Sequence, residues 1–97
     1  MKSIEEIKKI LVDHLPEIRQ KYKVKSLGIF GSYVRGQQKK NSDMDVLVEF
    51  DEPIGLFKFM DLEEYLQNIL GIKIDLVSKK ALKPRIGQFI LNEVVYL

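Results

Sequence analysis

Residues 24–50 read VKSLGIFGSYVRGQQKKNSDMDVLVEF. Two apolar runs enclose a polar stretch. Val24 to Phe30 is short, free of proline and stopped by glycine, which reads as a buried strand. Met44 to Phe50 alternates: Met44, Val46, Val48 and Phe50 point one way, and Asp45, Leu47 and Glu49 the other. Between them, Gly31-Ser32 opens a short helical turn through Tyr33-Val34-Arg35, with Gly36 as its C-cap. Gln37-Gln38-Lys39-Lys40 is a polar loop leading into Ser42 and the second strand.

Helical periods lie to either side. Toward the N-terminus, Ile4, Ile7, Leu11, Leu15 and Ile18 recur at helical spacing, with Ser3 as N-cap and Glu5 and Glu6 in the first turn. Pro16 is expected to break or kink that helix. His14, beside the stripe, reads as a packing residue. Toward the C-terminus, Asp51-Glu52-Pro53 ends the second strand, and Leu56 to Leu70 forms a helix with Phe59, Leu62, Leu66 and Ile69 on one face, capped by Gly71. Ile72 to Val77 is the third strand. Pro84 starts a last helix bearing Ile86, Phe89 and Ile90, and Val94 to Leu97 is a short extended tail, read equally as interface or core. The order is helix, strand, helix, strand, helix, strand, helix, which makes a small α/β layer.

Size and charge bound the function. The 97 residues suit a single domain, residues 1–97, with one modest core. Sixteen basic against fourteen acidic residues leave a net charge of +2, too little to require a nucleic-acid partner. The absence of cysteine excludes disulfides and thiolate metal sites. No apolar run is long enough to span a membrane and the opening residues do not form a signal peptide, so a cytoplasmic protein is expected.

Three carboxylates carry the chemistry. Asp43 and Asp45, two apart at the start of a strand, project from one face. Asp75 interrupts an apolar strand, where an uncompensated charge is costly. If the two strands are neighbours the three converge, and their mutual repulsion is relieved by a divalent cation among them. Oxygen ligands without cysteine or a nearby histidine favour Mg²⁺ over zinc. Aspartate-held metal commonly meets phosphate, and Gly31-Ser32 offers a close backbone approach, free amides and a hydroxyl donor. The glycine spacing is that of neither a P-loop nor a dinucleotide fingerprint. Arg35 reads either as an ordinary helix-end charge or as a phosphate or partner contact. Each piece has a structural explanation by itself; their joint occurrence is what argues for a site.

Gly31-Ser32, a ten-residue interval, then Asp43-Met44-Asp45 and the later strand carboxylate Asp75, resembles the signature of the DNA polymerase β-like nucleotidyltransferase superfamily. The segments 31–36 and 42–45, the length and the ending near Glu93-Val94-Val95-Tyr96 resemble its minimal nucleotidyltransferase branch, including antitoxins of HEPN/MNT toxin–antitoxin systems. The resemblance implies an α/β (α+β) palm fold, a small mixed sheet of three to four strands with about four helices. It implies that Asp43, Asp45 and Asp75 bind two Mg²⁺ ions, with Asp75 activating the attacking hydroxyl. Gly31 and Ser32 would hold the triphosphate of ATP, with Arg35 and Ser42 as further nucleotide contacts. It further implies AMPylation of a tyrosine on a HEPN-family ribonuclease toxin, held in a heteromeric complex. Two alternatives stay open: a non-catalytic antitoxin that neutralises its toxin by contact, and nucleotidyl transfer to RNA or a small molecule. The weak positive balance and the lack of an aromatic–basic stripe make nucleic acid the less expected partner.

Overall fold

The structure is a computed structural model and describes residues 2–97. Helix α1 (Ile4–Tyr22) begins with a capping box: Ser3 Oγ accepts the Glu6 amide at 3.2 Å, and the Glu6 carboxylate accepts the Ser3 amide at 3.4 Å. Pro16 does not break this helix, which runs on to Tyr22. A proline leaves the carbonyl four residues back without its amide donor. That carbonyl belongs to Val12, which is half exposed and open to water, whereas Ile7, Leu11, Ile18 and Tyr22 on either side of the proline are buried. Burial on both sides offsets the lost bond. His14 packs as expected: its Nδ1–H donates to the Ile10 carbonyl at 2.8 Å and its ring meets Tyr65 edge-on.

Strand β1 (Val24–Phe30) follows, then the one-turn helix α2 (Ser32–Arg35), strand β2 (Met44–Phe50), helix α3 (Leu56–Leu70) and strand β3 (Ile74–Ser78). A 3₁₀ turn (Lys79–Ala81), helix α4 (Pro84–Glu93) and the two-residue strand β4 (Val95–Tyr96) complete the chain. The third strand starts later than its alternation suggests. Its pairing with β2 begins at Met44↔Ile74, and Lys73 contributes only a carbonyl, to the Met44 amide at 2.9 Å.

The sheet order is β3-β2-β1-β4. β1 is antiparallel to both β2 and β4, while β2 and β3 are parallel and joined through α3. This is the mixed four-stranded sheet with four helices that the sequence leads one to expect. The C-terminal tail is thus partly sheet: Val95 pairs with Ile29 and Tyr96 with Gly28.

Pleating divides the side chains between the two faces. Leu27, Ile29, Met44, Val46, Val48, Ile74 and Leu76 turn toward α1 and α3 and form the core with Ile7, Leu11, Ile18, Leu62, Leu66 and Leu70. The alternate positions Phe30, Asp45, Leu47 and Asp75 turn to the other face. That second face is also covered near its centre, since Leu47 and Phe30 are buried there. No helix among the described residues is long and apolar enough to cross a membrane.

Candidate active site

Three strand ends meet at one edge of the sheet: the C-terminal end of β1 and the N-terminal ends of β2 and β3. Phe30 pairs with Asp45, and Asp45 pairs in register with Asp75. Register partners on neighbouring strands share a face, so the two carboxyls point the same way. They are close enough to hydrogen-bond to each other. Asp43 lies just ahead of β2, outside the ladder.

The electrostatics follow from this crowding. Asp45 is pushed up to about 6, first by burial, then by the charge of Asp75 and the hydrogen bond with it, and then by the charge of Asp43. The Arg35 guanidinium opposes this and pulls Asp45 back down. Burial, and then the charge of Asp43, raises the Tyr33 phenol. Asp43 therefore lies within electrostatic reach of both Asp45 and Tyr33. Among the described residues, no three of His, Cys, Asp and Glu stand close enough together to grip an ion by themselves. The structure pairs Asp45 with Asp75 but leaves Asp43 outside the pair, within electrostatic reach of Asp45, so the convergence of three carboxylates expected from the sequence is only partly met. The donor chemistry fits a hard divalent cation: the groups are all oxygen, and their mutual repulsion is what a cation would relieve.

Gly31 closes against this pair. Its φ of 80° and ψ of −151° lie where only glycine is comfortable, and a Cβ there would overlap Asp45 Oδ2. Ser32 follows at the start of α2, where the Gly31 carbonyl takes the Val34 and Arg35 amides at 3.1 and 3.2 Å. Among the described residues, the Ser32 hydroxyl has no hydrogen-bond partner within the protein. Ser42 serves its own turn: its hydroxyl accepts the Lys39 amide at 2.8 Å and its amide donates back to the Lys39 carbonyl at 3.0 Å. A cleft of about 710 Å³ has Tyr33, Ser42 and Asp43 among its lining residues, together with Lys2, Lys40 and Lys73. Asp43 thus faces both this cleft and the acid pair.

One residue that sequence reasoning gave no role stands in the same place. Glu93, the last residue of α4, accepts the Gly31 amide at 2.7 Å and takes Arg35 Nη1 with both oxygens, at 3.0 and 2.9 Å. A signal was present. An acid at a helix C-terminus opposes the helix dipole and needs a cationic or N–H partner to hold it there.

Residues 4–97 match the family profile of the nucleotidyltransferase domain. The chain belongs to that family. This nucleotidyltransferase is 50% identical over 97 residues to the protein adenylyltransferase MntA of Thermococcus cleftensis, covering all of this chain and 98% of the relative. Its fold resembles a solved minimal nucleotidyltransferase structure, with a TM-score of 0.86 and 29% identity over 99% of this chain and 97% of the other. It also resembles a chain of a toxin–antitoxin structure with AMP-PNP, with a TM-score of 0.70 and 26% identity over 95% of this nucleotidyltransferase and 69% of that chain.

Proposed function

We propose that this nucleotidyltransferase is a cytoplasmic antitoxin that transfers AMP from ATP to a tyrosine hydroxyl of a HEPN-family ribonuclease toxin bound in a heteromeric complex. The observation that carries the reading is the in-register pair Asp45–Asp75, with the Gly31 loop closed against it. Identity of 50% to a protein adenylyltransferase, and the likeness to a toxin–antitoxin structure with AMP-PNP, support the choice of nucleotide and of acceptor class.

Asp43, Asp45 and Asp75 would hold Mg²⁺, two ions in this reading, which when bound neutralises charge on the transferring phosphoryl group. The residues of the chain do the rest. Gly31 and Ser32 receive the triphosphate, the glycine allowing close approach and the serine adding a hydroxyl donor. Arg35 supplies positive charge beside it, and Ser42 contacts the nucleotide from the rim of the cleft. The acceptor hydroxyl attacks the α-phosphorus in line. The new bond joins the acceptor oxygen to the α-phosphorus, the bond to the bridging oxygen of the β-phosphate breaks, and pyrophosphate leaves with that electron pair. Asp75 takes the hydroxyl proton.

The test is incubation with labelled ATP, Mg²⁺ and the product of the neighbouring reading frame. Label should appear on the partner with the wild-type chain and not with Asp43→Asn. A tight complex without label, with toxin inhibition undiminished in Asp43→Asn, would identify a contact antitoxin instead. Label on RNA or on a small molecule in place of the partner would move the acceptor to that class.

A further inference from the structure

The clasp between Glu93 and the Gly31 loop has no place in the mechanism above. The Glu93 carboxylate is mostly buried, with 18% of its side chain exposed, against 42% for Arg35. Its position is set from both sides, by the end of α4 and by the pairing of β4 with β1 immediately after it. Arg35 is held at two points, by Nη1 on Glu93 and by Nε on Gln37 Oε1 at 3.1 Å. Among the described residues its Nη2 has no partner in the protein.

An arginine within electrostatic reach of Asp45 has an alternative: to swing onto that carboxylate and fill the space that phosphate needs. A two-oxygen grip from Glu93 competes with that collapse, because charge-assisted hydrogen bonds to a guanidinium are strong and fixed in direction. The same carboxylate holds the Gly31 amide, so the loop and the arginine are anchored to one point on a rigid element.

We propose that Glu93 is a positioning residue for the nucleotide. It holds Gly31 and Arg35 in place, keeps the guanidinium off the aspartates and leaves Nη2 free for an oxygen of the triphosphate. This rests on the reading that Gly31 and Ser32 receive that triphosphate. A competing arrangement uses the same contacts with opposite effect: Glu93 as an internal anion that phosphate must displace. The two differ in sign. Loss of a positioning group weakens nucleotide binding, whereas loss of an internal competitor tightens it.

The experiment measures binding of ATP with Mg²⁺ by calorimetry, and KM and kcat for transfer, in the wild type, Glu93→Ala, Glu93→Gln, Arg35→Ala and the double variant Arg35→Ala/Glu93→Ala. Glu93→Ala should weaken ATP binding and raise its KM by about tenfold, with a much smaller change in kcat. Glu93→Gln keeps an acceptor for the Gly31 amide and should fall between wild type and alanine; it carries the test if the alanine variant does not fold. In the Arg35→Ala background the Glu93→Ala change should lose the part of its effect that runs through the guanidinium and keep the part that runs through the Gly31 amide, because only the first is non-additive with Arg35. Unchanged or tighter binding in both Glu93 variants overturns the proposal, and an equal loss with and without Arg35 overturns its arginine half, leaving Glu93 to act through the Gly31 amide alone. Wild-type chain that binds no ATP with Mg²⁺ would overturn the nucleotide reading itself and this proposal with it; intact wild-type binding beside an unaffected Glu93→Ala overturns the proposal alone.

Discussion

Asp45 stands across the parallel β2–β3 pair from Asp75, in register and on the same face of the sheet. The arrangement brings two acids together, and its cost is visible in the raised proton affinity of Asp45. A group held this way works against the metal-free fold and in favour of whatever cation joins it.

Asp45→Asn keeps the shape, removes one charge and lets an amide donate to Asp75. Transfer should disappear. In chelator, stability at neutral pH should rise by about 1–2 kcal/mol, after allowing for solvent screening of a partly exposed carboxyl. Urea denaturation of both proteins in chelator gives the comparison; a variant less stable than wild type would contradict the repulsion argument.

The same carboxyl predicts a pH dependence. Its ordinary value is 3.8 and the fold raises it to about 6, so the folded state binds this proton more tightly than the unfolded chain. Its contribution to metal-free stability is therefore fully present below about pH 4 and is lost as pH rises toward and through 6. Stabilisation by Mg²⁺ should run the other way, growing through the same range as the carboxylate is freed. Melting temperatures across pH, with Mg²⁺ and with chelator, should separate progressively between about pH 4 and 6 and stay apart above it.

Gly31→Ala should be among the most damaging small changes in the chain. A methyl group meets a positive φ and Asp45 Oδ2 together, so the loop must move or the carboxylate must. We expect a loss of about 2 kcal/mol or more, and loss of nucleotide binding. Denaturation and ATP calorimetry read both; wild-type affinity in the variant would show that the loop geometry is not needed.

Arg35→Ala removes the charge that pulls Asp45 down. The pH midpoint for Mg²⁺-dependent stabilisation should then rise above the wild-type midpoint. Titrating the Mg²⁺-induced shift in melting temperature in both proteins locates the two midpoints, and coincident values would mean that Arg35 does not act on the acid pair.

Much of the architecture was legible in the residues, for reasons that can be named. Helix α3 begins and ends as expected because glycines bracket a strongly periodic run, Gly55 ahead of Leu56 and Gly71 after Leu70. Pro16 misleads because its local cost is outweighed by burial of residues far away in sequence, which periodicity cannot weigh. Ile72 and Lys73 alternate like strand residues, yet β2 offers partners only from Met44 onward. In the site, alternation places Asp45 and Asp75 on outward faces, but their shared register belongs to the sheet. For Glu93 the sequence offers only an acid at a helix end in need of a partner; which partners, Gly31 and Arg35 at 62 and 58 positions away, is set by the fold.

That distance bears on synthesis as well. A chain growing from its N-terminus completes both acid-bearing strands while the end of α4 is still being made. Glu93 is the last of these groups to be added, so the Gly31 loop stays unfastened until the end of α4 has docked beside β1. On the reading that Glu93 positions Gly31 and Arg35, competence for nucleotide would arrive only with the final turn of the last helix.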